Sequence, residues 1–391
     1  MTPNYSDLEL MQARISFVPK DWIFSTIGQS YVIKNNLRKP INETERSSNP
    51  GPYPYYGPTK IQDYIGSFEQ DGDYVLIGED GDHFLKYETH SMTQLVEGKC
   101  TINNHAHIIE GTALASREWF YYYFMHRDIF SFLSRQGAGR YKLNKASLEK
   151  LPILLPPIQE QQKIAEILST WDKAITITEN LIANSEMQKK SLMQQLLTGK
   201  KRLLDENGVR FCGEWESNEL QKISTITKGK QLNKSTLTKT GEYPVINGGI
   251  EPSGYSPNYN TDANTITISE GGNSCGFIGY QTTNFWCGGH CYYLSALKIN
   301  KPFLFQALKF NESKIMTLRV GSGLPNIQKK AIESYSIDYP HQVNEQEKIA
   351  KVLSNADREI ELLQAKLEHL KQEKKALMQQ LLTGKRRVVI N

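Results

Sequence analysis

The sequence predicts an α+β protein in which two β-rich mixed domains are joined by two long helices. The helices are expected to pair as an antiparallel coiled coil, with a pseudo-two-fold relation between the halves. Three observations support this prediction: a nine-residue string that occurs twice, an apolar spacing that alternates four and three, and short apolar runs that end in glycine turns. The predicted order is a domain over residues 1–157, a helix over 158–203, a second domain over 204–343 and a second helix over 344–391.

The repeated string is LMQQLLTGK, which occupies residues 192–200 and again 377–385. Around it, residues 159–203 and 344–388 are identical at 21 of 45 positions without a gap. The likeness fades upstream but persists. The chain therefore consists of two diverged halves. The upstream matches pair Gly137 with Gly321, Gly139 with Gly323, and Lys145 with Lys329.

Each copy of the repeat predicts a helix with one narrow apolar stripe, which is typical of a coiled-coil seam. Lys189 and Lys374 occupy the same seam position, where a lysine weakens a helix pair but fixes its alignment. The first helix, from Gln159 to Leu197, would be about 58 Å long. The alternative is that each helix packs on its own domain. In the second copy the seam residues are Ile349, Leu353, Ala356, Ile360, Leu363, Leu367, Leu370, Leu377 and Leu381.

Each domain alternates short strand-like runs with turns. YVLIGEDG at 74–81 resembles TITISEGG at 265–272, and EYPVINGGI contains a strand that ends at Asn-Gly. An apolar segment with helical spacing precedes each long helix, at 116–134 and at 301–316. Its aromatic residues could stack on bases, but such residues more often form a core, and the core interpretation is preferred.

Composition excludes few classes of protein. The 391 residues carry a net charge of +4; residues 1–158 have 16 basic and 18 acidic residues, and 204–343 have 13 and 12. Overall charge therefore does not indicate nucleic-acid binding, and only local basic clusters could do so. Five cysteines form no even framework, and neither an apolar leader nor a run of ~20 apolar residues is present. We expect a soluble, reduced, cytoplasmic protein that does not enter a membrane.

Several fragments suggest enzymatic chemistry but do not meet its requirements. Residues 49–53, NPGPY, differ from the Asn-Pro-Pro-Tyr loop of amino-methyltransferases by an inserted glycine, and TGK at 198–200 and 383–385 lacks the first glycine of a phosphate loop. Cys275, Cys287 and Cys291 with His290 are disfavoured as a zinc site, because the first half has no matching cysteines. His105 and His290 align at the repeat offset, where a structural role is the more common one. We predict a non-catalytic chain without a metal.

Two kinds of segment are candidates for DNA contact. GAGRYKLNK at 137–145 and GSGLPNIQK at 321–329 combine glycines with basic residues, which suits phosphates, although such a turn is frequently only a helix cap. The loops at 49–66 and 243–260 are polar, rich in turns and different in sequence, as two loops that read different bases would be. The predicted DNA-binding residues are Tyr55, Tyr56, Thr59, Lys60, Arg140, Lys142, Lys145, Lys228, Lys230, Lys234, Asn247, Tyr255, Asn258, Arg319 and Lys329.

The chain resembles the specificity subunits of type I restriction-modification enzymes. The resemblance rests on LPPIQEQQKIAEIL with LLTGKKRL, on EQEKIAKVL with LLTGKRRV, and on the pieces YPYYG and NNHAHII, and it covers essentially the whole chain. It implies two target-recognition domains that read a bipartite, interrupted site in double-stranded DNA. It also implies helices that bind two methyltransferase subunits, and two restriction-translocase subunits that join the complex. In the second half, YPVINGGIEPSGY keeps less of the YPYYG pattern.

The resemblance places S-adenosylmethionine, ATP and Mg²⁺ on the partner subunits and no cofactor on this chain. Helix length is expected to set the gap between the half-sites. The runner-up function is a coiled-coil protein–protein scaffold without DNA specificity; a self-sufficient methyltransferase would require S-adenosylmethionine binding by the isolated chain. The residues expected at the subunit interface are Leu192, Leu196, Leu197, Leu377, Leu381 and Leu382.

Overall fold

The computed structural model describes residues 5–136, 140–321, 323 and 325–390. The chain folds into two compact units: unit 1 contains residues 1–178 and 366–391, and unit 2 contains residues 179–365. Both boundaries lie inside the long helices, so each unit consists of one domain and parts of both helices. The predicted division into four segments follows the order of the chain, whereas the compact units cut across it.

The first half of the chain consists of short helices and strands followed by a helix of 39 residues. Its helices are α1 (Asp7–Gln12), α2 (Ile27–Ser30), α3 (Glu43–Ser48), α4 (Arg117–Met125), α5 (Lys145–Glu149) and α6 (Ile158–Leu196). Its strands are β1 (Ile23–Thr26), β2 (Val32–Ile33), β3 (Pro50–Tyr56), β4 (Ile61–Ile65), β5 (Gln70–Asp71), β6 (Tyr74–Gly78), β7 (Thr93–Val96), β8 (Lys99–Ile102), β9 (Ala106–Glu110), β10 (Ser134–Gln136), β11 (Arg140–Lys142) and β12 (Pro152–Leu155).

The second half has a similar order of main elements and also ends in a helix of 39 residues. Its strands are β13 (Trp215–Glu219), β14 (Thr225–Lys228), β15 (Tyr243–Ile246), β16 (Tyr255–Ser256), β17 (Thr265–Ser269), β18 (Ile278–Gln281), β19 (Trp286–Cys287), β20 (Cys291–Ser295) and β21 (Ser336–Pro340). Its helices are α7 (Leu220–Ile223), α8 (Lys301–Phe310), α9 (Glu312–Met316), α10 (Lys329–Glu333) and α11 (Val343–Leu381).

The two units have matching sheets. Unit 1 contains an antiparallel sheet in the order β2-β9-β6-β7, and unit 2 contains one in the order β14-β20-β17-β18. A second sheet in each unit includes one parallel pair, β3 with β8 in unit 1 and β15 with β19 in unit 2. The predicted α+β class with two mixed β-rich domains and long helices is therefore confirmed.

The aromatic segments before the long helices are core, as predicted. In α4, Trp119, Phe120 and Phe124 are at most 1% exposed. The predicted helix over 116–134 is too long, since α4 ends at Met125 and the carboxylate of Asp128 accepts the main-chain N–H of Phe130 (2.9 Å) in the turn that follows. The other predicted helix, over 301–316, is divided at Asn311 into α8 and α9.

The two long helices run antiparallel within each unit. In unit 1 the start of α6 contacts the end of α11: Glu160 accepts two hydrogen bonds from Arg387, at 2.7 Å each, and Asp172 pairs with Lys374 at 2.5 Å. In unit 2 the start of α11 contacts the end of α6. There Arg202 donates to both oxygens of Glu345, at 2.5 and 2.6 Å, and Lys189 pairs with Asp357.

These contacts explain the repeated letters. The two carboxylates at the helix starts are buried, with Glu160 1% and Glu345 0% exposed, and a buried carboxylate requires a cation. That cation comes from the segment just after the opposite helix ends. Gly199 (φ 69°) and Gly384 (φ 67°) lie in the left-handed region and turn the chain there, so that Arg202 and Arg387 reach the carboxylates.

The leucines of the repeat belong to the cores of the units. Leu196 and Leu197 are 0% and 5% exposed in a cluster with Ile349 and Leu353, and Leu381 and Leu382 are 3% and 8% exposed in a cluster with Ile164 and Leu168. The prediction that these four leucines form a subunit interface is therefore wrong, because their side chains are already buried inside their own unit. Leu192 and Leu377 are partly buried against the same two cores.

Candidate nucleic-acid interface

A cleft of about 590 Å³ lies in unit 2 beyond the end of β17. Among its lining residues are the predicted DNA contacts Lys228 and Asn247, together with Glu270 and His290. Gly248 lets the end of β15 approach the turn after β17, because a Cβ at that position would lie 2.6 Å from the carbonyl oxygen of Gly271. The cleft thus joins segments that are distant in the sequence, at residues 228, 247–253, 270–272, 290 and 325–326.

Glu270 is the charged centre of this cleft. Its Oε1 accepts hydrogen bonds from Lys228 Nζ (2.5 Å) and from the Tyr292 hydroxyl (2.9 Å). Burial and, after it, the hydrogen bond with Glu270 raise the pKa of the Tyr292 phenol. This hydroxyl therefore remains a donor. The other oxygen, Oε2, is enclosed without a hydrogen-bond partner and lies 3.6 Å from His290 Nδ1.

Unit 1 contains the equivalent arrangement beyond the end of β6. Glu79, the counterpart of Glu270, pairs with Arg38 and with Lys142 (3.1 Å). Burial by itself raises the pKa of Glu79, but the hydrogen bond from Arg38 and the contacts with His107 and Lys142 outweigh burial and lower the pKa. This carboxylate therefore stays ionised between two cations.

The glycine-rich segments contact these acidic turns in both units. In unit 1, Leu143 donates its main-chain N–H to the carbonyl of Glu79 (2.8 Å), and in unit 2, Ile327 donates to the carbonyl of Glu270 (2.8 Å). The two segments singled out in the sequence thus lie beside the strand ends in the same way. Residues 137–139, 322 and 324, which include the predicted glycines Gly137 and Gly139, lie outside the described residues.

The aligned histidines lie next to these turns and are exposed, His105 by 49% and His290 by 63% of the side chain. His105 Nδ1 lies 2.9 Å from Asp80 Oδ1. The main-chain N–H of His105 donates to Asn103 Oδ1 (2.9 Å), and that of His290 donates to Asn247 Oδ1 (3.0 Å). Each histidine is therefore held by an asparagine amide and faces a carboxylate.

Tyr55 is a correction to the predicted DNA contacts. Its side chain is 0% exposed, and its hydroxyl is within hydrogen-bond distance of the main chain of Ile41 and accepts a bond from Asn103 Nδ2. The prediction that Tyr55 contacts DNA is wrong, because strand alternation turns this ring into the domain. Tyr56 is half-buried, Thr59 is partly exposed and Lys60 is exposed.

The other predicted residues divide into two groups. Lys145 and Lys329 begin α5 and α10 and pair with Glu149 and Glu333 of their own helices, at 3.6 and 3.2 Å. The rest in unit 2 are at least partly exposed and are not among the residues that line its cleft. Arg140 begins β11, Tyr255 begins β16 and is partly exposed, and the exposed residues are Lys230, Lys234, Asn258 and Arg319.

Sequence reasoning missed Arg38, Glu79 and Asp80 as parts of the unit 1 charge cluster and Glu270 as part of the unit 2 cleft. The likeness of YVLIGEDG to TITISEGG was the available signal, because both runs end in an acid where a strand leaves its sheet. Arg38 has no such signal. It reaches Glu79 only because the chain after β2 folds over the end of β6 and β9, where Arg38 also donates to the carbonyl of Asn104 (2.9 Å).

The fragments that suggested enzymatic chemistry occupy unsuitable positions. TGK at 198–200 and 383–385 follows the C-terminal ends of α6 and α11, whereas a phosphate loop requires a helix N-terminus. Pro50–Tyr56 is a bulged strand paired with β4 rather than an open loop. Among the described residues, no group of three or more His, Cys, Asp or Glu side chains could hold a metal, and no helix is long and apolar enough to cross a membrane.

The fold and the clefts define a tandem protein with two mixed β-domains on long helices. The family described as type I restriction modification DNA specificity domain matches residues 19–186 and 213–372, which is most of the chain. The chain belongs to this family.

Curated relatives support the same assignment. A putative type I restriction enzyme specificity subunit of Haemophilus influenzae is 40% identical over 35% of this chain and 34% of its own length. A putative type I specificity subunit of Mycoplasma genitalium is 32% identical over 39% of this chain and 41% of its own length, so both matches cover well under two thirds of those relatives. The type I restriction enzyme MjaVIII specificity subunit of Methanocaldococcus jannaschii is 24% identical over 95% of this chain and 94% of its own length.

The crystal structure of a type I restriction-modification system S subunit from M. genitalium has a similar fold. Its TM-score is 0.71 at 18% identity, with 98% of this chain and 99% of that chain covered. This likeness bears on the fold alone.

Proposed function

We propose that this chain is the DNA-recognition subunit of a type I restriction-modification complex and that each unit reads one half of an interrupted site in double-stranded DNA. The observation that supports the proposal most directly is the recurrence of one polar cluster beyond the equivalent strand of both units. In each, a carboxylate at the strand end pairs with a cation, and beside it an exposed histidine is held by an asparagine amide and faces a carboxylate. Base edges offer both donors and acceptors, so a lining with both kinds of group suits them better than a purely basic surface, which suits phosphates.

The proposed partners are two methyltransferase subunits and restriction-translocase subunits, with S-adenosylmethionine, ATP and Mg²⁺ held by those partners. The chain is proposed to position them without carrying out chemistry itself. Two sequence fragments that suggested enzymatic chemistry support this division of roles by their positions. The TGK strings lie at helix C-termini, and most of the NPGPY segment belongs to a strand. Exposed apolar residues on the long helices, among them Ile177, Met187 and Leu362, are candidate contacts for such partners.

A half-site exchange tests the proposal. Residues 1–150 are replaced by those of a relative with a different specificity, the chain is assembled with its modification subunits, and bound sequences are selected from random DNA. We expect one half-site to change and the other to stay the same. The matched chimera, exchanged over 204–343, should change only the other half-site.

The outcomes separate this function from the alternative. A protein–protein scaffold would show no sequence-dependent DNA binding with or without methyltransferase subunits. A change in both half-sites from one exchange would contradict the assignment of one half-site to each unit. Selections must be run at one fixed salt concentration, because phosphate contacts make affinity strongly salt-dependent.

A further inference from the structure

Both units build the same surroundings for one histidine from different residues. His105 is held by Asn103, two positions before it, and by Asp80 after β6. His290 is held by Asn247, from the end of β15, and faces Glu270 after β17. The asparagines come from different segments in the two halves, and the carboxylates from neighbouring positions of the equivalent turn. In both halves the main-chain N–H nevertheless meets an amide oxygen and Nδ1 faces a carboxylate. A histidine needed only for packing would not require this agreement.

The carboxylate determines which ring nitrogen is free. A carboxylate is only an acceptor, so Nδ1 of His105, 2.9 Å from Asp80, is the donor. In the neutral ring, Nε2 is then an acceptor. Hydrogen-bond pairing of Asp80 with His105 therefore makes Nε2 the acceptor on a side chain that is 49% exposed.

The unit 2 cleft contains a carboxylate oxygen that lacks a hydrogen-bond donor. Glu270 Oε2 is enclosed and has no hydrogen-bond partner, although His290 Nδ1 is only 3.6 Å away. An enclosed, unbonded carboxylate oxygen is costly, and a small rotation of the exposed His290 ring would give it a donor. The ring would then have the same orientation relative to its carboxylate as His105.

Local charge argues against a phosphate as the target. In unit 2 Lys228 pairs with Glu270. In unit 1 Arg38 and Lys142 both pair with Glu79, and the adjacent Asp80, which faces His105, adds a second negative charge. A phosphate next to these carboxylates would be repelled, whereas a base edge carries no net charge.

We propose that His105 and His290 are specificity-determining residues, each accepting a hydrogen bond at Nε2 from a base amino group in the major groove, either N4 of cytosine or N6 of adenine. This inference rests on the proposed function and assigns one such contact to each half-site. Asp80 and Glu270 are positioning residues that hold the ring in the tautomer with an accepting Nε2.

The test uses the full chain assembled with its modification subunits and selection from random DNA. His290→Ala should lower the preference for cytosine or adenine at one position of one half-site by about tenfold, leaving the other half-site unchanged. His105→Ala should do the same in the other half-site. His290→Gln, whose amide oxygen supplies an acceptor in a similar place, should retain most of the preference. Asp80→Ala should weaken the same preference as His105→Ala, but by less.

Matched controls are His90→Ala in unit 1 and His341→Ala in unit 2, because both histidines are exposed and lie outside the clefts. They should leave both half-sites unchanged. Thermal melting of each variant verifies that it is folded. A uniform loss of affinity for all sequences would overturn the inference in favour of a phosphate contact, and an unchanged preference would overturn it outright. If the wild-type complex shows no sequence preference, the proposed function itself fails. If the wild-type complex shows a preference and the His105 and His290 variants keep it, the inference alone fails.

Discussion

The two halves of the chain resemble each other at the helix ends and around the aligned histidines, but in different ways. At the helix ends the same residues recur: Glu160 with Arg387 in unit 1 and Glu345 with Arg202 in unit 2. In the polar clusters beyond β6 and β17 the geometry recurs while the residues around the histidine change. A buried charge permits few substitutions because its partner must be a cation at hydrogen-bond distance. An exposed side chain can be held by any nearby amide or carboxylate, so its neighbours are free to diverge.

The two helix-end pairs also differ from each other. In unit 1 the indole N–H of Trp22 donates to Glu160 Oε2 (3.1 Å), so this carboxylate has a second donor besides Arg387. In unit 2 the indole N–H of Trp215 is buried without a hydrogen-bond partner. Glu345 therefore depends more heavily on Arg202 than Glu160 depends on Arg387.

The largest expected effect follows from that difference. Arg202→Met leaves the fully buried Glu345 carboxylate without its cation and should lower the free energy of unfolding of unit 2 by about 3–5 kcal/mol. Arg387→Met should cost unit 1 less, because Trp22 still donates to Glu160. Denaturant unfolding with hydrogen exchange resolved by unit measures both losses.

Lys200→Met and Lys385→Met are the controls for these arginines, since both lysines are exposed beside the same turns. Each should change stability by no more than about 0.5 kcal/mol. Equal losses for the two arginine variants would show that the Trp22 hydrogen bond does not contribute.

A second difference concerns pH. Burial lowers the pKa of His83 in unit 1 to about 4, although Asp80 and Asp82 act in the opposite direction. Below pH ~6.5 the unfolded chain takes up a proton at His83 that the folded chain does not accept until about pH 4. Unit 1 should therefore lose stability as the pH falls from about 6.5 to about 4, by roughly 2 kcal/mol after allowance for partial exposure of the ring.

His83→Gln removes this titration, so the difference in melting temperature between wild type and variant should change across that pH range. Unit 2 has Ser274 in the turn after the equivalent strand and should show no matching effect. A His90→Gln variant provides the control, because His90 is exposed. A difference that is constant with pH would contradict the prediction.

The smallest expected effect concerns the seam lysines. Lys374 pairs with Asp172, and Lys189 pairs with Asp357, in settings that are partly exposed. Each aspartate keeps a second donor, the Tyr122 hydroxyl at 2.8 Å for Asp172 and Gln306 Nε2 at 2.7 Å for Asp357. Replacing either lysine by methionine should lower the free energy of unfolding by about 0.5–1 kcal/mol, and by a similar amount in both units.

A double-mutant cycle isolates this interaction. Coupling between Lys189→Met and Asp357→Asn should match that between Lys374→Met and Asp172→Asn. Both couplings should shrink as salt is added, because the pairs are only partly shielded from solvent. Unequal couplings would show that Tyr122 and Gln306 are not equivalent supports.

Much of the helical part of the fold was predictable. The spacing predicts the first helix at 159–197 and the second within 344–391 with its last turn closed by Gly384, and the structure has them at Ile158–Leu196 and Val343–Leu381. Seam residues such as Ile349 and Leu353 are buried, as the alternation of four and three indicates. The leucines were assigned to the wrong partner, because an apolar stripe shows that a face is covered but not which surface covers it.

The sequence by itself determined the repeat, the two long helices, the turns that end them and the alternation of strands, because each depends on residues a few positions apart. Only the tertiary structure decided that Tyr55 is buried, that Arg387 meets Glu160, and that Arg38, Glu79 and Lys142 meet in one charge cluster. Those contacts join segments up to 227 positions apart. Sheet pairing and helix pairing bring such segments together, and neither leaves a local pattern in the chain.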